Sequence, residues 1–197
     1  MWSNRRNTLL PSIVGDGARD VWDGDPAELN DAQIKRLMDA AHQSARDGFQ
    51  FIHETHRLTN DGEPYIDTSH YHAEIVRFLN DGDFLGFVRD VTGLHEMAFA
   101  DAQATRYAPG HFLTLHDDNF PERKRLVAYV LNLTPQWRPD WGGILMFPHR
   151  NGHIAEGYAP AFNALNLFKV PQPHLVSMVA PFAGACRYSI TGWLRAR

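Results

Sequence analysis

The chain has 197 residues, a hydrophobic fraction of 44% and a formal net charge of −4 with its histidines neutral. That length suits one domain able to bury a substantial core, and the acidic balance, with no run of lysines or arginines, argues against a nucleic-acid or membrane-surface partner. A single cysteine, Cys186, excludes an intramolecular disulfide and a thiolate-rich metal site, so any metal must use histidine and carboxylate, which suits Fe(II), Mn(II) or Zn(II).

The opening "MWSNRRNTLLPSIVGDG" has Arg5 and Arg6 but no apolar stretch behind them, and Pro11, Gly15 and Asp16 interrupt it. We therefore expect no signal peptide. No segment approaches the length of a transmembrane helix, and the expected compartment is the cytoplasm. Asp25 is placed to cap a helix with Pro26 and Glu28 in its first turn. Leu29, Ile34, Leu37, Met38 and Ala41 follow at helical spacing, and Gly48 supplies a stop. "FQFIHETHRL" alternates as a strand does. "SHYHAEIVRFLNDGDFLGFVRDVTG" reads as two short helices broken near Asp81 and Gly82, with Ser69 and Asp83 as candidate caps. Residues 1–92 are thus expected to be mainly helical support.

From residue 93 the texture changes. "AFADAQATRYAP", "HFLTLHDD", "RLVAYVLNL", "GGILMF", "GHIAEGYAP", "ALNLFKV", "HLVSMVA" and "RYSITGWL" read as short strands punctuated by Gly, Pro, Asn and Asp. Such spacing points to a sandwich, barrel or jelly roll. The expected fold is mostly β with helices packed on one face, forming a single domain over 1–197 with a β core over 93–197.

"TLHDDNF" carries the first chemical signal. Residues i and i+2 of a strand project to the same side, so His116 and Asp118 would face one ion together, with Leu115 and Asp117 turned away. His-x-Asp arises by chance in a chain with this many histidines and acids, so the spacing alone decides little. His72 and Glu74 share it, but they fall in an expected helix, where i and i+2 diverge by about 200°. Three downstream histidines are available as a third ligand. His149 and His153 fall in the turn-rich "PHRNGHIAEG", where a surface position is the ordinary reading. His174 opens "LVSMVA", at the head of a strand, where it is either an inward ligand or an edge residue without a role.

"CRYSITGWL" carries the second signal. Arg187, Ser189, Thr191 and Trp193 share a face by period two. An arginine on the inner face of a barrel is costly unless paired, and the strand holds no acid. A bound carboxylate would satisfy it through two parallel hydrogen bonds, and Ser189 would add a third. An exposed strand or a structural ion pair is the alternative. Two histidines, one carboxylate and an anion clamp point to non-haem Fe(II) oxygen chemistry.

In the order and spacing of "RYAPGHFLTLHDD", "RLVAYVLNLTPQW", "WGGILMF", "LNLFKV", "HLVSMV" and "RYSITGW", residues 93–194 resemble the Fe(II)/2-oxoglutarate-dependent dioxygenases of the prolyl-hydroxylase type. The resemblance implies a double-stranded β-helix. It makes His116, Asp118 and His174 the iron ligands and catalytic centre, and Arg187 the partner of the distal carboxylate of 2-oxoglutarate. It places Tyr107 in the wall of the cosubstrate pocket, gives Tyr129 a share in the same carboxylate, and puts Ser189 beside it. His174 and Arg187 stand 13 positions apart, more than in the hypoxia-sensing members. The implied activity is hydroxylation of a prolyl or similar residue of a peptide or protein, with Fe(II), 2-oxoglutarate and O2 consumed or required and succinate and CO2 released. Two alternatives stay open: an oxygenase of a free amino acid or other small metabolite, and a non-catalytic cupin-like metal-binding module. Arg123, Lys124, Arg125 and Arg150 are expected near the mouth, as a solvated rim or against an acidic partner. The expected partner is the substrate, with neither nucleic acid nor membrane.

Overall fold

The structure is a computed structural model that describes residues 8–15, 18–24, 30–59 and 70–197. In chain order its elements are β1 (Thr8–Gly15), β2 (Ala18–Gly24), α1 (Asp31–Ser44), β3 (Phe51–Arg57), α2 (His70–Leu79), α3 (Gly82–Thr92), β4 (Phe99–Ala100), β5 (Gln103–Tyr107), β6 (Phe112–His116), β7 (Arg125–Asn132), β8 (Leu145–Pro148), β9 (Ile154–Tyr158), β10 (Ala164–Lys169), β11 (His174–Val176) and β12 (Arg187–Arg195). Each of the eight strand segments read from residue 93 onward contains a strand, the first of them split into β4 and β5.

The strands pair in the order β10-β7-β12-β5-β3-β6-β11-β8-β9, with antiparallel ladders throughout. The sheet curls into two layers, and β3 is the strand that joins them. Its Glu54–Arg57 half pairs with β5, while Phe51 and Ile52 pair with β6. This is the double-stranded β-helix, or jelly roll, implied by the sequence. Its long central strands carry the residues a pleated, buried surface favours: β7 is "RLVAYVLN", and β12 buries six of its positions in the pattern BiBBiBiBB, where B is buried and i intermediate.

The N-terminal third differs from its expected helical texture. β1 and β2 form a hairpin, and β1 also pairs with β3. Pro11 disguised this strand. It falls at a register shift between Leu10 and Ile13, where a missing N–H donor is tolerated. The proposed cap Asp25, with Pro26, Glu28 and Leu29, lies outside the described residues, as does Ser69. The helix that follows is capped by Asn30, which has extended backbone (φ −79°, ψ 163°) and forms a capping box with Gln33. Between the next two helices the cap is Asp81 and not Asp83: the Asp83 N–H donates to the Asp81 carboxylate at 2.8 Å.

Three apolar clusters hold these elements. Leu79 of α2 and Val88 of α3 pack with Val127, Ile190 and Leu194 of the larger layer. Ala41 and Met38 of α1 cover Ile52 and Phe112. Tyr107, Val130, Leu145 and Val176 pack between the layers, beside the cavity described next.

Candidate active site

His116 closes β6 and His174 opens β11, and the two face each other directly in the antiparallel ladder between these strands. A one-dimensional separation of 58 positions thus becomes a ring-to-ring distance of 4.1 Å. Asp118 completes the group, by a different route from the strand alternation read in the sequence. β6 ends at His116, and Asp118 adopts φ 61°. The left-handed turn brings its carboxylate to both imidazoles: Oδ1 lies 3.7 Å from His116 Nε2 and Oδ2 lies 3.7 Å from His174 Nε2. One donor atom from each residue falls within 4.8 Å of the others.

Hydrogen bonds fix each member. His116 Nδ1 lies 3.0 Å from the Thr114 carbonyl and His174 Nδ1 lies 2.7 Å from the Gln172 carbonyl. A carbonyl can only accept, so both Nδ1 atoms carry a proton, and both Nε2 atoms face Asp118, where each would serve as the metal donor. Burial lowers the pKa of His174, with the neighbouring His116 acting in the same direction. Asp118 Oδ2 accepts from Trp193 Nε1 at 2.9 Å, and Oδ1 lies 3.4 Å from the Arg125 guanidinium. Arg125 was expected on a solvated rim. Instead it lies over the Trp193 ring at 3.4 Å, with its side chain only 4% exposed.

A cavity of about 300 Å³ opens from this triad and is bordered by Arg187, Ser189, Thr191 and Trp193 of β12 and by Tyr107 of β5. Arg187 is 2% exposed. One of its nitrogens donates to the Gly143 carbonyl at 3.0 Å, and its Nε has no hydrogen-bond partner among the described residues. No carboxylate among those residues pairs with it. Burial depresses its pKa. A buried, unpaired guanidinium carries a penalty of several kcal/mol, and a ligand carboxylate is the group that would relieve it. Two imidazoles, one carboxylate and an unsatisfied guanidinium bordering one cavity fit an Fe(II) ion and a dicarboxylic keto acid by donor type and by charge.

Tyr107 lies beside Arg187, ring to Cζ 5.3 Å, and burial pushes its hydroxyl up to about 12. Ser189 borders the cavity, with its hydroxyl 2.7 Å from that of Thr105. Tyr129 is placed differently. Its ring packs in the larger core cluster and its hydroxyl donates to the Asp101 carbonyl at 2.7 Å, so that donor is committed within the fold. Tyr129 still borders the cavity beside its neighbours Ala128 and Val130, but by strand parity its ring packs on the opposite side of β7, in the cluster that includes α2 and α3. His149 and His153 are exposed and are not part of the donor group. Sequence reasoning missed His53 of β3, which lines the same cavity. Its period-two partners Phe51 and Arg57 line it too, so alternation grouped them, but nothing in the sequence told which side of β3 faced inward.

Comparison with known proteins agrees with this geometry. Residues 102–195 match the family model of the 2OG-Fe(II) oxygenase superfamily. Prolyl 3-hydroxylase OGFOD1 of Mus musculus is 29% identical over 159 residues, which cover 77% of this chain and 27% of that protein. Its Xenopus laevis counterpart is 29% identical over 129 residues, 62% of this chain and 25% of that protein. The chain therefore spans about a quarter of the length of the curated relatives it matches. In fold it is similar to the crystal structure of a Pseudomonas putida prolyl-4-hydroxylase, with TM-score 0.58 and 24% identity over 75% of this chain and 73% of that one. It is also similar to a Trichoplax adhaerens prolyl hydroxylase in complex with a hypoxia inducible factor peptide fragment, with TM-score 0.54 and 23% identity over 73% and 63%. Over residues 102–195 the chain is thus similar to the 2OG-Fe(II) oxygenases, which use Fe(II), 2-oxoglutarate and O2, and it is prolyl-hydroxylase-like.

Proposed function

We propose that this protein is an Fe(II)- and 2-oxoglutarate-dependent hydroxylase acting on a prolyl or similar residue of a peptide or protein. The observation that carries the reading is the pairing of two incomplete sets around one cavity: three metal donors at one end and a buried guanidinium without a carboxylate at the other. The prolyl substrate class is supported by the names of the sequence relatives and by the peptide-bound structural neighbour. We further read the described residues as one domain, with the helices and N-terminal strands supporting the core over 93–197. No described helix is long and apolar enough to cross a membrane; a cytoplasmic location is part of the proposal, in keeping with the single cysteine.

His116, Asp118 and His174 would hold the iron, and Arg187 would receive the distal carboxylate of 2-oxoglutarate. When bound, these groups supply the oxidising chemistry: O2 is consumed, the keto acid becomes succinate and CO2, and one oxygen atom enters a substrate C–H bond. The chain's own part is orientation and exclusion of water. The backbone carbonyls of Thr114 and Gln172 keep both imidazoles in the metal-binding tautomer. Trp193 and Arg125 hold the Asp118 carboxylate in place. Tyr107, Val176 and Phe168 make the cavity wall apolar, so that charges inside it interact strongly.

Succinate release measured with proline-containing peptides and with free amino acids tests the substrate class. Turnover on peptides is expected. Turnover confined to free amino acids would replace this reading with that of a small-molecule oxygenase, and absence of 2-oxoglutarate turnover under every condition would favour a binding module.

A further inference from the structure

His53, Tyr107 and Arg187 form a row across three adjacent strands. Arg187 faces Tyr107 in the ladder of β12 and β5. His53 precedes Glu54, which faces Arg106, so it falls beside Tyr107, and the two rings stack with centroids 5.0 Å apart at 23°. All three border the cavity shared with His116, Asp118 and His174. The family motifs account for Tyr107 and Arg187 but leave His53 without a role.

His53 is buried, at 9% exposure, and its Nδ1 is shut off from solvent with no hydrogen-bond partner among the described residues. A buried polar atom left unpaired costs about 1–3 kcal/mol, so native proteins rarely keep one without a partner or a purpose. Burial holds its pKa at about 3, with nearby Arg187 acting in the same direction. The ring is therefore neutral near pH 7, with one N–H to donate and one nitrogen to accept. Ring contacts with Tyr107, stacked, and Phe51, tilted at 5.0 Å, hold the ring in place, so little side-chain freedom remains to be lost on binding.

We propose that His53 is a cosubstrate-binding residue whose imidazole donates from Nε2, the ring nitrogen not shut off from solvent, to the distal carboxylate of 2-oxoglutarate alongside Arg187. This rests on the 2-oxoglutarate reading of the cavity. A neutral donor suits the place: Arg187 already supplies the one positive charge a carboxylate requires, and a second cation beside it would raise the cost of the empty pocket.

The test is anaerobic calorimetric titration of 2-oxoglutarate into the Mn(II)-loaded protein, where no turnover occurs. His53→Phe keeps an aromatic ring to stack on Tyr107 but lacks both nitrogens; it is expected to weaken 2-oxoglutarate binding about tenfold or more, as loss of a hydrogen bond to a charged group does. Mn(II) affinity without cosubstrate is expected to stay within about twofold, and His53→Gln to recover most of the loss. Pyruvate, which shares the keto acid but has no distal carboxylate, is expected to bind wild type and His53→Phe alike. Should the phenylalanine variant not fold, His53→Leu carries the same expectations. Wild-type 2-oxoglutarate affinity in His53→Phe, alongside a loss in Arg187→Ala, overturns the role of His53 alone. Equal losses for pyruvate and 2-oxoglutarate overturn it as well, by moving the effect to the keto-acid end. Failure of the wild-type protein to bind 2-oxoglutarate removes the reading of the cavity and this inference with it.

Discussion

Asp118 is the member of the triad with a left-handed backbone. A non-glycine residue at φ 61° costs on the order of 1–2 kcal/mol against the right-handed conformation, a cost retained where geometry demands it. Here the turn sets one carboxylate between two imidazoles, and Trp193 Nε1 holds it there at 2.9 Å. Trp193→Phe is expected to lower Fe(II) or Mn(II) affinity roughly tenfold to a hundredfold, as loss of a group that orients a ligand does, and metal titration of the folded variant checks it. Tyr129→Phe separates fold from site in the opposite direction. It removes the hydrogen bond to Asp101 and is expected to cost about 1 kcal/mol of stability by urea denaturation while leaving 2-oxoglutarate affinity unchanged. At this scale the grouping of His116, Asp118 and His174 was legible, the first two from their spacing and the third from the family resemblance. The sequence was silent where a side chain acts through a neighbour brought from another strand. Arg125 read as a surface charge because its partners, Trp193 and Asp118, lie 68 and 7 positions away and meet it only in the fold.

Among the elements, β3 and the turn before β8 decide whether the site assembles. β3 pairs with both layers and so fixes the separation between the triad on β6 and β11 and the Arg187 end on β12. "FQFIHETHRL" announced a strand, but its central position was hidden because strand order is set by long-range pairing and not by local pattern. The turn contains Gly142 at φ +68° and Gly143 at φ +62°. A Cβ on Gly142 would stand 2.1 Å from the Met178 carbonyl oxygen, and the Gly143 carbonyl is the acceptor for Arg187. Both the left-handed backbone and the close approach require glycine. Gly142→Ala is expected to destabilise the protein by at least about 1–3 kcal/mol in denaturant titrations and to weaken 2-oxoglutarate binding with it, because the displaced turn carries the carbonyl that aligns Arg187. The double glycine of "WGGILMF" was visible in the sequence, whereas the hairpin of β1 and β2 was not, since Pro11 breaks the strand pattern at its bulge.

For the whole molecule, two buried histidines tie stability to pH. Burial holds His53 at about 3 and His111 at about 4, against an ordinary value of 6.5. Above pH 6.5 these rings are neutral in both folded and unfolded chains and contribute no pH dependence. Below it the unfolded chain takes up the protons and the folded chain does not, so stability falls with decreasing pH until the folded values are reached. At pH 5 the loss is expected to be on the order of 2 kcal/mol per histidine, read as a falling denaturation midpoint, and His53→Phe should flatten part of that slope. The jelly roll itself was legible from eight short strands and their turn residues, because strand length and punctuation are local properties. The burial of particular histidines was not, because it depends on which layer covers them. The claim on which the account depends most is that His116, Asp118 and His174 bind one iron together. Anaerobic Fe(II) titration in the presence of 2-oxoglutarate tests it most directly: the account predicts one iron per chain for the wild-type protein and no specific iron for a folded His174→Ala variant, and undiminished iron binding by that variant would contradict it.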